Sequence, residues 1–178
     1  MFAFSLLRAC TRLLLLALLP GAASGFAQQP ASEYTSTKSG VVLQRPTEEP
    51  GGDSFKTRCR GFGGYELLLL GGDARSWINI KYRKTEVDLL NATLAVSPGT
   101  FPNKANDTVE WRGIHRGRDF IPYAIIYRLQ GGNDETRKIK SRLVVIQLDR
   151  ERSSIVGFAE GKNEEEESRQ IADRFRPK

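Results

Sequence analysis

Two apolar runs decide the fold: Phe120-Ile-Pro-Tyr-Ala-Ile-Ile-Tyr-Arg-Leu129 and Lys138-Ile-Lys-Ser-Arg-Leu-Val-Val-Ile-Gln-Leu148. Between them lies Gln130-Gly-Gly-Asn-Asp-Glu-Thr-Arg137, a run of turn formers. The pattern predicts one long β-hairpin. Side chains alternate along a strand, so Ile121, Tyr123, Ile125, Tyr127 and Leu129 are expected on one face. The other face, with Phe120, Pro122, Ala124, Ile126 and Arg128, is nearly as apolar. A strand apolar on both faces is covered on both faces, so a further layer must pack on this sheet. Pro122 has no N–H to donate, which predicts a strand start, an edge or a bulge there.

Working outward toward the N-terminus, short strands alternate with glycine turns. Ser54–Arg60 places Phe55, Thr57 and Cys59 on one face and Lys56, Arg58 and Arg60 on the other. Gly61-Phe-Gly-Gly64 is a turn, Tyr65–Leu70 an apolar strand, Gly71-Gly-Asp73 a second turn and Arg75–Arg83 another strand. This spacing predicts an antiparallel meander. Glu33–Gln44 reads as a weak first strand, Arg45–Asp53 as a loop, and Thr108–Ile114 as a strand that reaches the hairpin through the turn His115-Arg-Gly-Arg118. In 84–106, Val87, Leu90 and Leu94 have helical spacing, but Pro98, Gly99 and Pro102 break it; a short helix or an irregular excursion is expected. Ser153–Ala159 is a last strand.

The chain then turns helical over about 163–175. Asn163 stands where an N-cap belongs, with Glu166 three residues on, as in a capping box. Glu164–Glu167 suits the positive end of the helix dipole, and Arg169, Arg174 and Arg176 suit the other end. Ile171 and Phe175 share a face. This helix is the expected cover for the second face of the hairpin. The fold class is α+β: an antiparallel β-sheet meander with a long central hairpin, packed by a C-terminal helix.

The first 27 residues read as a secretory signal peptide. Arg8 and Arg12 form the basic segment and Leu13-Leu-Leu-Leu-Ala-Leu-Leu19 the apolar one, and Gly25-Phe-Ala27 offers small residues for cleavage after Ala27. The apolar run is shorter than the roughly 20 residues of a membrane span, and no later stretch is long enough either. The expectation is a periplasmic or secreted protein: residues 28–32 a disordered start, and 33–178 one β-rich domain. Cleavage removes two of the 27 basic residues and none of the 21 acidic ones, leaving a net charge of +4. That mild excess favours anionic partners. Cys10 leaves with the signal, so Cys59 stands alone and the domain relies on packing rather than a disulfide.

Catalytic patterns are sparse. His115, the one histidine, together with Cys59 and Asp119 would make a nucleophile set only if the fold joined them. Alternation places Cys59 on the apolar side of its strand, where a core thiol is the simpler reading. The glycines at 61–64 lack phosphate-loop spacing. One His and one Cys do not furnish a zinc site. No metal, cofactor or nucleic-acid partner is expected. Paired acids of an envelope hydrolase would have to come from Glu66, Asp73, Glu110 and Asp119, wherever two of them meet.

The basic residues are more suggestive. Arg112, Arg116 and Arg118 cluster at one turn, and Arg137, Lys138, Lys140 and Arg142 on the hairpin; Lys81, Arg83 and Lys84 form a third group. Scattered charge is the ordinary state of a soluble surface, and edge lysines oppose aggregation. Combined with Trp77, Trp111 and Tyr82, the clusters make a candidate patch for an anionic cell-envelope polymer or lipid headgroups. Its members are Arg112, Arg116, Arg118, Lys138, Lys140 and Arg142. The preferred function is an exported binding or accessory module; the alternative is the envelope hydrolase.

Gly61-Phe-Gly-Gly-Tyr65, Gly72-Asp-Ala-Arg75, Glu110-Trp-Arg112 and Tyr123-Ala-Ile-Ile-Tyr-Arg128 follow in this order after the signal segment. In this the chain resembles a group of small exported proteobacterial proteins with no assigned function. The resemblance implies a periplasmic or secreted location. Members of the group often carry further cysteines, which this chain lacks.

Overall fold

The structure is a computed structural model that describes residues 28–49, 52–100, 103–132, 136 and 138–177. The proposed signal segment and residues 133–135 and 137 of the hairpin turn, Arg137 among them, lie outside the described residues. The strands are β1 (Ala31–Ser36), β2 (Val41–Gln44), β3 (Phe55–Arg60), β4 (Tyr65–Gly72), β5 (Arg75–Tyr82), β6 (Thr85–Val87), β7 (Asn103–Arg116), β8 (Asp119–Gly132), β9 (Ile139–Gln147) and β10 (Ser154–Ala159). The helices are α1 (Leu90–Ala95) and α2 (Glu164–Asp173).

All ten strands join one sheet in the order β10-β9-β8-β7-β5-β4-β3-β2, with β1 beside β7 and β6 beside β5. The expected hairpin is β8–β9, paired antiparallel from Ala124↔Gln147 to Gly132↔Ile139. The sheet is mixed rather than purely antiparallel. Arg75 of β5 pairs in parallel with Asn103 of β7. The cause is the excursion through β6 and α1, which carries the chain back before β7 begins, so β7 starts in the direction of β5.

The N-terminal segment corrects the sequence reading in two places. Ala31 and Ser32, expected in a disordered start, already pair with Gly113 and Arg112 of β7. The single strand expected over Glu33–Gln44 is two strands, broken by a 3₁₀ turn at Thr37–Ser39 that moves the chain from β7 to β3.

One core cluster draws Cys59 from β3, Leu67 from β4, Ile78 and Ile80 from β5, Val109 and Trp111 from β7, Ile125, Tyr127 and Leu129 from β8, and Val144 and Ile146 from β9. Side chains from both halves of the sheet meet there, so the sheet curls around its own interior. A second cluster lies on the outer face of β7–β9 under α2: Ile114, Tyr123, Ala124, Ile126, Leu143 and Val145, met by Ala172 and Ile171. The C-terminal helix thus covers the second apolar face.

Among several register shifts, the one between β7 and β8 at Arg112 and Gly113 has consequences. Arg112 pairs with Ala124 and Gly113 with Pro122, so Tyr123 is an extra residue in β8. This bulge turns Tyr123 outward to α2, away from Ile125 and Tyr127. Pro122 beside the bulge agrees with its missing donor.

The capping box does not form. Asn163 has φ −108° and ψ 18°, outside the extended region of an N-cap, and its side chain makes no capping bond. Glu166 accepts from Gln170 Nε2 instead, at 3.1 Å. What holds α2 is a set of arginine–carboxylate pairs. Arg128 Nη1 meets Glu164 at 2.6 Å and Arg169 Nε donates to Glu110 at 2.8 Å. Arg112 forks onto Asp173, with Nε–Oδ1 at 3.0 Å and Nη2–Oδ2 at 2.7 Å. Tyr123 Oη donates to the same Oδ1 at 2.6 Å. No helix among the described residues is long and apolar enough to cross a membrane.

Candidate functional site

In an up-and-down sheet, alternate connections fall at the same end. Four meet here: the β3–β4 turn at 61–64, the β5–β6 turn at Arg83 and Lys84, the β7–β8 turn at Gly117 and Arg118, and the 3₁₀ turn Arg150–Arg152 after β9. The first, third and fourth, with Tyr82 at the end of β5, wall a cleft of about 680 Å³. Its apolar lining is Phe62, Tyr65, Tyr82, Phe120, Ile121 and Pro122; its polar lining is Glu33, His115, Arg118, Asp119 and Arg150.

Local geometry fixes the aromatic wall. Phe62 stands edge-on to Trp111 at 5.6 Å and to Phe120 at 5.2 Å between ring centroids. It is presented by a turn that needs glycine at both flanks. A Cβ on Gly61 would lie 2.5 Å from the Trp111 ring, and Gly63 has φ +60°. Tyr65 and Tyr82, directly paired across β4 and β5, have ring centroids 4.8 Å apart. The Arg150 backbone N–H donates to Tyr65 Oη at 2.8 Å, which ties the 3₁₀ turn to the wall. Burial pushes the Tyr65 phenol above the ordinary tyrosine value, so it stays protonated.

The charged lining is mixed. His115 Nε2 stands 3.5 Å from Glu33 Oε1, joining β7 to β1 at the cleft wall. Arg118 and Arg150 form no side-chain ion pair among the described residues. Arg83 sits beside the cleft with its guanidinium 5.3 Å from the centre of the Tyr82 ring. Arg83 and Arg150 both have positive φ, 55° and 50°.

The structure does not bring the six residues of the sequence-derived patch together. Arg118 lines the cleft and Arg116 is exposed on the same turn. Lys138 and Lys140 are exposed at the opposite end of β8, a strand whose 14 residues span on the order of 40 Å. Arg112 is buried under α2, 8% exposed, and engaged with Asp173. Arg142 is occupied as well: it donates to the Val96 carbonyl at 2.9 Å, pairs with Glu160 at 2.8 Å and stacks 4.0 Å over Phe158. Of the aromatic partners, Trp111 is wholly in the core, its indole N–H donating to Thr35 Oγ1 at 2.8 Å. Tyr82 is at the cleft; Trp77 pairs with Leu70 further along β5.

The candidate catalytic sets do not assemble: His115 and Asp119 both line the cleft, but Cys59 does not. Cys59 is 1% exposed and its thiol donates to the Thr37 carbonyl at 3.5 Å; burial raises its pKa, which keeps it a thiol. His115 faces Glu33 and the Phe120 ring. The four acids occupy four settings. Glu66 pairs with Lys81 and Arg58, Asp73 lies 4.0 Å from Arg75, Glu110 binds Arg169 under α2, and Asp119 lines the cleft. Among the described residues no group of three or more His, Cys, Asp and Glu could hold a metal ion.

Sequence reasoning missed Phe62, Tyr65, Phe120, Glu33 and Arg150 as neighbours. Counting strands through the meander would have put their turns at one end. In comparisons with known proteins the chain matches no family model, no curated protein and no solved structure.

Proposed function

We propose that the chain is an exported, periplasmic or secreted, β-rich binding module that holds an anionic ligand of the cell envelope in the aromatic cleft. The observation that carries the reading is convergence. Arg118 and Arg150 come from turns 32 residues apart in sequence, and both border a cleft floored by aromatic rings from three other segments. A concave, largely apolar site with a few placed charges is the usual form of a ligand pocket. Guanidinium groups without a protein partner supply the forked donors that carboxylate, sulfate and phosphate accept. The signal-peptide pattern and the resemblance to exported proteobacterial proteins support the location, and the mild basic excess supports the sign of the ligand.

The test is retention of the purified protein on immobilised dextran sulfate, read as the salt needed for elution and as Kd for the soluble polymer. Arg118→Ala combined with Arg150→Asn, asparagine being tolerant of positive φ, is expected to weaken binding about tenfold, near 1.4 kcal/mol. Lys138→Ala combined with Lys140→Ala removes the same charge at the far end and is expected to leave Kd within about twofold. Equal losses from both pairs would mean diffuse charge attraction and would overturn the assignment of the cleft.

A further inference from the structure

The aromatic cleft continues past Tyr82. Tyr82 and Arg150 also wall a second groove, of about 450 Å³, completed by Arg83, Asp149, Glu151 and Arg152, with Arg152 paired to Asp149 at 3.1 Å. Tyr65 and Arg83 wall a third, of about 390 Å³, bordered by Arg58, Arg60 and Glu66. Shared walls make the three one trough across the turn end of the sheet. Each alone is in the size range that holds a small molecule, roughly 300–1,000 Å³. Three that adjoin one another give room for more than one linked unit. Resting on the anionic-ligand reading above, we propose that the trough binds an acidic polysaccharide, with a sugar ring in the aromatic cleft and acidic groups against Arg83, Arg118 and Arg150.

The cleft's own charges select this class. Glu33 and Asp119 line it with the aromatic rings. Carboxylates are acceptors only. They repel a chain that carries a phosphate on every unit, and they accept from sugar hydroxyls. The rings of Phe62 and Phe120 offer apolar surface to the C–H face of a pyranose, which buries area without needing a charge. The arginines lie at the margins and in the adjoining grooves, where carboxylate or sulfate groups on neighbouring units would fall. A uniformly charged polyanion meets Glu33 and Asp119 in the cleft and Asp149, Glu151 and Glu66 in the adjoining grooves, so it clashes along the whole trough. A neutral glycan matches the centre and leaves the margins unpaired.

Backbone conformation supports the placement. Of the four non-glycine residues with positive φ among the described residues, Asp73 and Ala74 form the tight β4–β5 turn. The other two are Arg83 and Arg150, which line one groove with Tyr82. A left-handed arginine is uncommon and costs stability. At both positions it sets a cation on the rim of the same trough.

The experiment is calorimetric titration of the purified protein with the disaccharide, tetrasaccharide and octasaccharide of a uronic-acid polymer, with the methyl-esterified tetrasaccharide and with polyphosphate. Affinity is expected to rise at least tenfold from disaccharide to tetrasaccharide and then level off. The esterified tetrasaccharide and polyphosphate should each bind at least tenfold more weakly than the acidic tetrasaccharide. Arg83→Asn should shrink the gain with length, and Lys140→Ala should leave every affinity as it is. Disaccharide binding as tight as octasaccharide binding overturns the trough and leaves the cleft reading standing. Polyphosphate binding as tight as the acidic tetrasaccharide overturns the polysaccharide assignment alone. No binding of any anion overturns this inference and the proposed function together.

Discussion

Replacing Asp173 with alanine tests whether α2 is held by its buried arginine rather than by its apolar face. Asp173 is the last residue of the helix, where a carboxylate faces the negative end of the dipole and costs about 0.3–1 kcal/mol. Alanine would recover that and a few tenths more in propensity. Against this stands Arg112, 8% exposed, with both arms of its fork on Asp173. Without that carboxylate, Arg112 keeps Ser32 Oγ at 2.6 Å and Glu110 at 3.9 Å, and the Tyr123 hydroxyl loses its acceptor. Removing one partner of a buried pair costs about 3–5 kcal/mol. The Asp173 side chain is 30% exposed, so water reaches the vacated position and the cost lies at the low end of that range. Subtracting the helix terms leaves about 2 kcal/mol, a fall in Tm of roughly 4–8 °C for a domain of this size. Thermal melts of Asp173→Ala, Arg112→Met and the double variant close the cycle. The double variant should be less destabilised than the sum of the singles by at least about 1 kcal/mol, because it leaves no orphaned charge. Asp173→Ala melting within about 1 °C of the parent, or strict additivity, would refute the anchor.

Ile125 is fully buried between β7 and β9, so Ile125→Ala should cost about 2–5 kcal/mol, whereas His115→Ala, on an exposed strand end, should stay within roughly 0.5 kcal/mol in a parallel melt. Burial pushes the Tyr127 phenol up to about 12 and raises Tyr65 and Tyr123 in the same direction. The folded state therefore holds these protons more tightly than the unfolded chain does. Their contribution is complete below the ordinary tyrosine value of about 10 and is lost as pH rises from there toward 12, so Tm should fall along with the appearance of tyrosinate absorbance. Tyr127→Phe should flatten that alkaline limb. Intact-mass measurement of the protein produced with its N-terminal segment in a secreting host should place its first residue at Gln28; retention of residues 1–27 would remove the basis for the proposed exported location.

Much of the fold was legible because its signals are local. Alternation marked β3 and β5, apolar runs marked β4 and β9, and the spacing of Ile171 and Phe175 pointed to α2, although the helix ends at Asp173 and meets the sheet through Ile171 and Ala172 instead of Phe175. The two-sided apolarity of β8 required a covering layer before any layer was seen. The failures were of another kind. Tyr123 fits the alternation as well as Ile125 does, and only the register against β7, set by the Arg112–Gly113 step, makes it the extra residue that turns outward. Asn163 and Glu166 have the right identities for a cap, but the chain enters α2 from a turn at Gly161 with Asn163 near ψ 18°, so the geometry a cap needs is absent.

The site failed to show for a related reason. Sequence proximity grouped Arg112 with Arg116 and Arg118, but a strand carries neighbours to opposite fates. Arg112, four residues before the turn, is under the helix; Arg118, at the turn, is free to meet a ligand. Lys138 and Lys140 follow β8 closely in sequence and lie a full strand length from its start. In a meander the residues that meet are those at turns of equal parity. Phe62, Arg83, Arg118 and Arg150 satisfy that condition although dozens of residues separate them. Glycine and arginine at such turns look like ordinary turn formers and surface charge when read one segment at a time. Their joint placement around Tyr65 and Tyr82 gives them a common ligand to bind, and four connections converge at that one end of the sheet.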